Sequence, residues 1–151
     1  MDYRNRFSLV LVIFLAVFGG IEGHSDCGST VGKIISLEIA GCDNNAPKCI
    51  LKRGTNESIE VSFEINEDTD AITAVVHGVI LGVEVPFHLP NPDACVDSGI
   101  TCPVKTGNTY TYKTTLPVLQ KYPKVSLEVK WELQDKDGKD IVCGLIPVKI
   151  E

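Results

Sequence analysis

The sequence lacks the motifs that identify most catalytic centres. It contains no G-x-S-x-G, no H-E-x-x-H and no glycine-rich phosphate loop, which are patterns of hydrolases, metalloproteases and nucleotide-binding enzymes. Its three histidines, His24, His77 and His88, form no ligand-spaced cluster, and no C-x-x-C is present, so zinc binding is disfavoured. We therefore expect no enzymatic activity, no metal and no cofactor.

Positive charge is also scarce. The chain carries 14 Lys and Arg residues against 20 Asp and Glu residues, a net charge of −6, and the basic residues are not clustered. An acidic chain of this kind is not expected to bind nucleic acid, or to be strongly attracted to an anionic membrane surface.

The sequence contains one long continuous run of apolar residues, and this run lies near the N-terminus. Residues 9–18 are apolar, Arg4 and Arg6 precede them, and glycines follow at 19, 20 and 23. This pattern predicts a cleavable secretory signal over residues 1–23, with cleavage between 19 and 23. The run has about half of the roughly 20 residues that a membrane-spanning helix needs. We expect residues 24–151 to be one soluble, exported domain.

The sequence contains six cysteines, an even number that favours disulfides in an exported chain. Two pairs each flank a short loop, one containing Pro47 and the other Gly99. Six cysteines allow 15 pairings, and we favour Cys42 with Cys49, Cys95 with Cys102 and, by elimination, Cys27 with Cys143. The third bond would close most of the domain into one loop and contribute about 4 to 5 kcal/mol in the chain-entropy model.

Apolar and polar residues alternate with a period of two, and no segment has a sustained helical period. The clearest alternation covers 59–65 and 125–133, as in sheets with one buried and one solvent-facing surface. Strand-like runs at 33–40, 71–80, 83–87, 109–116 and 141–150 bring the number to about seven. We predict an all-β fold, an immunoglobulin-like β-sandwich of antiparallel strands.

An acidic cluster between the last two predicted strands has two interpretations. Asp135, Asp137 and Asp140 surround Gly138, which resembles the start of a calcium loop but lacks its spacing and closing Glu. The favoured interpretation is a hairpin, because Asp-Gly between strands is a type I′ turn signal.

Two proline-containing connections carry large apolar residues. Three prolines follow Val85 within seven residues, so Phe87 is expected at a sheet edge or in a loop rather than within a central strand. Val118 and Tyr122 lie in the second connection, between Pro117 and Pro123. Such residues either cap an ordinary core or surround an opening between two sheets.

Short segments spread over the predicted domain resemble a known family. These are 26–29, 75–78, 98–103, 110–112, 116–118, 122–123, 131–135 and 146–148, together with the six cysteines in register. They are similar to the Niemann-Pick type C-2 sterol carriers of the MD-2-related lipid-recognition (ML) family. Residues 94–99 resemble its arthropod members in particular.

The resemblance implies an immunoglobulin-like sandwich that holds one sterol, tail inward, between its sheets. It implies the same three disulfides, a mouth gated by Phe87, Val118, Tyr122 and Pro123, and walls that include Ile39 and Trp131. It further implies a monomer that makes transient membrane contact and passes the sterol to membranes or to a transporter of the Niemann-Pick type C-1 kind. The implied location is secreted, with the lysosomal or endosomal lumen as a second destination.

Two positions depart from the family pattern. Gly144 stands where the vertebrate carriers have a Trp, so the pocket is expected to differ in volume. The sequon Asn56-Glu57-Ser58 lies near the family's usual glycosylation position, and we expect a glycan on Asn56.

Two alternative functions remain: a secreted carrier of fatty acids or semiochemicals, and an innate-immune binder of microbial lipids.

Overall fold

A computed structural model describes residues 23–42 and 46–151, so the predicted secretory signal lies outside the described residues except for Gly23. The described residues form nine strands and no helix, so none of them belongs to a helix that could cross a membrane. The strands are β1 (Ser25–Asp26), β2 (Gly32–Ile39), β3 (Cys49–Leu51), β4 (Thr55–Ile65), β5 (Thr73–Ile80), β6 (Val83–Pro86), β7 (Thr109–Val118), β8 (Ser126–Gln134) and β9 (Asp140–Ile150).

The strands form two sheets, as in the predicted immunoglobulin-like sandwich. The six-stranded sheet has the order β1-β9-β8-β5-β6, with β3 also paired to β9, and the three-stranded sheet has the order β2-β4-β7. The seven predicted strands correspond to β2 and β4 to β9 without β1 and β3. Pairing is antiparallel except between β3 and β9, which run parallel.

The core lies between the sheets because the alternating apolar residues of each strand face the opposite sheet. Along β4 and β8 the buried apolar side chains recur at every second position, as the two-residue period of a strand requires; Glu132 is the one polar residue of these two strands that is also buried. The apolar residues are Ile59, Val61, Phe63 and Ile65 in β4, and Leu127, Val129, Trp131 and Leu133 in β8.

The type I′ turn occurs at a different hairpin from the one predicted. Between β8 and β9, Gly138 has φ 79° but Asp137 does not adopt a positive φ, so the type I′ prediction there is wrong. The Asp135 carboxylate instead accepts hydrogen bonds from the backbone N–H groups of Asp137 (2.9 Å) and Lys139 (2.8 Å), which supports a wider loop. Between β5 and β6, Leu81 and Gly82 have φ of 49° and 78°, as a type I′ turn requires.

All six cysteines are paired. The bonds join Cys27 with Cys143, Cys42 with Cys49 and Cys95 with Cys102, which are the three pairs expected from the sequence. The first bond attaches the segment after β1 to β9 and so fixes the N-terminal part of the domain to the six-stranded sheet.

Candidate functional site

Two aromatic rings meet at one end of the sandwich. Phe87 follows the edge strand β6, and Tyr122 lies in the connection between β7 and β8. Their ring centroids are 4.9 Å apart with an interplanar angle of 61°, an edge-to-face arrangement that aromatic pairs prefer. The Tyr122 hydroxyl also accepts a hydrogen bond from the backbone N–H of His88 at 3.4 Å. The structure thus brings together two residues that the sequence predicts at a mouth.

The position of Phe87 follows from prolines and from one glycine. β6 is the last strand of its sheet, consistent with the edge position predicted from the prolines, and the Phe87 N–H donates to the Val76 carbonyl at 3.0 Å. A Cβ on Gly78 would lie 2.8 Å from Leu127 Cδ1 and 3.5 Å from Phe87 Cδ2. Gly78 therefore allows Phe87 to lie across β5. The sequence contains a signal for this contact, because a glycine inside a strand indicates close packing, but the position of Gly78 was not predicted from it.

Val118 and Pro123 lie on either side of Tyr122 in sequence but differ in exposure. Val118 ends β7 and is buried, 1% exposed, and its carbonyl accepts a hydrogen bond from the Gly54 N–H at 2.6 Å. Pro123 is exposed. Val118 is therefore part of the closed core in this structure rather than the edge of an opening, and the gating role of Phe87, Val118, Tyr122 and Pro123 stays a prediction.

An open depression lies outside the ring pair. Its volume is about 650 Å³, and its lining consists of Pro86, Phe87, His88, Leu89, Leu119, Lys121 and Tyr122. A ligand in this depression would therefore contact both Phe87 and Tyr122.

A small void lies on the inner side, between the two sheets. It measures about 10 Å³ and exposes no polar surface. It brings together Ile39 and Trp131, the two predicted wall residues, with Leu51, Glu57, Ser58, Ile59, Leu116, Val129 and Ile146. Pockets for small ligands usually measure about 300 to 1,000 Å³, so the structure shows the interior closed, and a bound lipid requires the walls to move apart.

Leu37 fills the space beside Gly144. A Cβ on Gly144 would lie 2.8 Å from Leu37 Cδ1 and 3.6 Å from Ile34 Cδ1. Gly144 also pairs with Trp131 across β8 and β9. The volume that Gly144 was expected to provide is thus occupied in the closed interior, and it becomes available only if the Leu37 side chain rotates.

Two polar groups are buried among these apolar walls. Tyr112 and Trp131 are each 1% exposed, and the Tyr112 hydroxyl and Trp131 Nε1 have no partner at ordinary hydrogen-bond distance, although the Thr114 and Trp131 side chains lie near the hydroxyl. Burial raises the pKa of Tyr112 to about 12, although the nearby Thr114 and Trp131 side chains oppose part of the shift. The phenol is therefore neutral at physiological pH.

Carboxylates cluster on the outer face of the six-stranded sheet. Potential ligand atoms of Glu132, Asp140 and Cys143 lie within 4.8 Å of one another, but the Cys143 sulfur is bonded to Cys27 and so is not a thiolate. Burial raises the pKa of Asp140 to about 6, and the Glu132 carboxyl adds to the shift. Gln134 Nε2 donates to both carboxylates, at 3.3 and 3.4 Å.

The predicted glycosylation site lies on the outside of the other sheet. Asn56 is exposed in β4, opposite Pro117 of β7. It lines an open surface groove of about 960 Å³ with Glu60, Lys113 and Thr115. A glycan here would leave the buried interior unchanged.

Comparisons with known proteins agree on one family. The model of the ML domain matches residues 24–150. The "NPC intracellular cholesterol transporter 2 homolog a" of Drosophila melanogaster is 51% identical over 146 residues, covering 97% of this chain and 99% of that protein. The bovine (Bos taurus) "NPC intracellular cholesterol transporter 2" is 37% identical, covering 97% and 99%. The crystal structure of a Niemann-Pick type C2 protein from Japanese carpenter ant superposes with a TM-score of 0.80 at 36% identity, covering 84% of this chain and 98% of that chain.

Proposed function

Because this chain belongs to the ML domain family, we propose that it carries a sterol between its two sheets and delivers it to membranes or to a membrane sterol transporter. The observation that carries the proposal is a closed void between the sheets with no exposed polar surface, together with an open depression beside the Phe87–Tyr122 pair at the predicted mouth. The fly and bovine relatives, 51% and 37% identical over nearly the whole chain, are named as intracellular cholesterol transporters.

Apolar burial is sufficient for this function, and no catalytic group is needed. A sterol enclosed by the walls would remove roughly 400 Å² of apolar surface from water, worth about 10 kcal/mol at ~25 cal/mol per Å². Lost freedom of motion and ordering of the pocket cost about 4 to 15 kcal/mol. Where the cost lies at the lower end of that range, about 6 kcal/mol of binding free energy remains, a moderate affinity that suits a carrier that must also release its ligand.

Entry and release require the closed interior to open at the Phe87–Tyr122 pair. Phe87 directly follows an edge strand that has a neighbour on one side only, and Tyr122 belongs to a connection. Both side chains can therefore move without breaking the hydrogen bonds between central strands of a sheet. Ile39, Val118 and Trp131 would then line the widened space.

An exposed apolar hairpin provides a surface for transient membrane contact. Leu81 is fully exposed at the tip, and Val83 is 62% exposed beside it. Val79 pairs with Glu128, near the start of β8, so the tip lies at the same end of the sandwich as the connection that carries Tyr122. Contact through this hairpin would bring the mouth to the bilayer.

Leu81→Asn tests that contact while preserving the turn. Asn tolerates the left-handed backbone that Leu81 adopts (φ 49°) better than Leu does, so we expect equal or slightly higher stability. Transfer of a fluorescent sterol to vesicles should nevertheless slow several-fold. Unchanged transfer would remove the hairpin from the mechanism.

The same proposal places the protein in the secreted fraction and in the lysosomal or endosomal lumen, with a transporter of the Niemann-Pick type C-1 kind as acceptor. Sterol transfer from this protein to the luminal domain of such a transporter, measured with and without membranes, tests the partner. A rate equal to spontaneous release would argue against direct transfer.

The carrier function itself is tested by native mass spectrometry of the secreted protein after incubation with cholesterol. One bound sterol per monomer, displaced by competing sterol, is expected. Binding only to phospholipids or fatty acids under the same conditions would favour a different cargo.

A further inference from the structure

A large open groove lies on the outside of the sandwich, on the three-stranded sheet. Its volume is about 960 Å³, and β4 and β7 contribute residues 56, 58–60, 113–115 and 117 to its lining. This volume is near the upper end of the roughly 300 to 1,000 Å³ that is usual for small-ligand pockets. The proposed sterol function does not use the groove, so the groove is available to a second kind of ligand.

The borders of the groove are fixed by backbone hydrogen bonds. On the side of β7, the Lys113 N–H donates to the Ser98 carbonyl at 2.8 Å, which holds the preceding loop beside the strand. On the side of β2, the Ala40 N–H donates to the Ser58 carbonyl at 2.9 Å. The groove is therefore preformed, and a preformed surface loses little freedom when a ligand binds.

The polar groups of the lining favour a neutral ligand that is rich in hydroxyls. Among the described residues, its charged side chains are three carboxylates, Glu38, Glu60 and Asp97, and one cation, Lys113. Lys113 lies 3.8 Å from Glu60, so an anionic ligand would meet net negative charge. The other polar side chains are amides and hydroxyls: Asn56, Ser58, Asn91, Thr114 and Thr115. Such groups both donate and accept hydrogen bonds, as the hydroxyls of a sugar require.

Exposed apolar residues at the border suit the C–H face of a sugar ring. Val96 is 49% exposed, and Pro90 is also exposed. A ring that covered them would remove apolar surface from water. The lining contains no aromatic side chain among the described residues, so the affinity for a free sugar is expected to be low.

Asn56 places a sugar at one end of this groove. Asn56 and Ser58, the first and last residues of the sequon, both belong to the lining. From Asn56 to Glu60 the groove follows β4 for roughly 13 Å at 3.3 Å per residue, the length of a few sugar rings. A covalently attached ligand has an effective concentration of about 1 mM, so even a weak intrinsic affinity fills the groove.

We propose that Asn56 carries an N-glycan whose first sugar rings lie in the groove along β4 and β7 and cover Val96 and Lys113. The glycan is then an ordered part of the outer surface rather than a mobile appendage. The proposal is independent of the sterol function, because the glycan lies outside the buried interior.

Lysine acylation mapped by peptide mass spectrometry tests whether sugars occupy the groove. Lys113 is 64% exposed, and Lys105, outside the groove, is 61% exposed; each lies near one carboxylate, at 3.8 and 3.9 Å. With an effective concentration of about 1 mM and an intrinsic Kd of about 0.1 to 1 mM, the glycan should slow acylation of Lys113 about 2- to 10-fold. Lys105 should react equally in the secreted protein and in Asn56→Gln.

Two further variants separate an ordered glycan from a mobile one. Asp137→Asn with Lys139→Thr, added to Asn56→Gln, moves the sequon to the exposed β8–β9 hairpin, and Lys113 should then react as in the unglycosylated protein. Val96→Ser keeps the glycan but removes the apolar contact. Compared with the same variant carrying Asn56→Gln, its protection of Lys113 should fall below about twofold. Val96 and Asn56 are exposed, so thermal stability should change little in either variant.

The possible results either support or overturn the proposal. Slower acylation of Lys113 that depends on both Asn56 and Val96, with Lys105 unchanged, supports it. Equal acylation of Lys113 with and without the glycan, a secreted protein without a glycan, or protection that Val96→Ser leaves undiminished would overturn it. None of these results affects the proposed sterol function.

Discussion

Replacing Phe87 by Leu should speed sterol exchange without unfolding the protein. The substitution keeps an apolar side chain at the mouth but removes the edge-to-face pair with Tyr122, whose centroids lie 4.9 Å apart. Such a pair contributes about 0.5 to 1.5 kcal/mol beyond its buried area. If opening requires the pair to separate, its loss predicts a dissociation rate about 2- to 12-fold higher, since about 1.4 kcal/mol corresponds to a factor of ten.

Stopped-flow dissociation of a fluorescent sterol into excess unlabelled sterol measures this rate, and thermal unfolding accompanies it. Phe63→Leu is the matched control, because Phe63 is fully buried and contacts Tyr110 rather than the mouth, with ring centroids 6.1 Å apart. We expect the control to lose at least as much stability as Phe87→Leu and to keep the wild-type dissociation rate. If both variants change the rate in proportion to their loss of stability, Phe87 is ordinary core and the gate is refuted.

Three further predictions concern Asp140, the Gly144 position and the glycan on Asn56. The pKa of Asp140 is raised to about 6 in the folded protein from about 3.9 in an unfolded chain, so its contribution to stability is complete below about pH 4 and is lost as the pH rises through 6. Asp140→Asn should therefore raise the melting temperature at pH 7 and flatten its fall between pH 4 and 7; an unchanged pH profile would contradict the assignment. Gly144→Ala places a Cβ 2.8 Å from Leu37 Cδ1, the end of a flexible side chain that can turn away, so it should cost less than about 1 kcal/mol in the free energy of unfolding but weaken sterol binding, whereas full binding would show that this wall is not used. Asn56 should carry an N-glycan in the secreted protein, so Asn56→Gln should increase gel mobility and leave sterol affinity unchanged; equal mobility of the two proteins would exclude the modification.

The strands and the edge position of Phe87 were predictable because they depend on local pattern. The two-residue period gives seven of the nine strands, and the prolines after Val85 exclude a central strand. β1 and β3 contain only two and three residues, too few to show a period, and the parallel pairing of β3 with β9 has no local signature.

The state of the interior could not be predicted in the same way. The burial of Val118, the contact between Leu37 and the Gly144 position, and the burial of the Tyr112 hydroxyl all depend on side chains from different strands or sheets. Such contacts are set by packing across the sandwich rather than by spacing along the chain.

The most direct test of the account is the location of the bound sterol. A photoreactive sterol, cross-linked to the secreted protein and mapped by peptide mass spectrometry, should label inward-facing residues of the two sheets, Ile39 and Trp131 among them, and excess cholesterol should abolish the labelling. Labelling confined to the outer groove around Asn56 and Lys113, or labelling that cholesterol does not displace, would contradict a carrier that holds its sterol between the sheets.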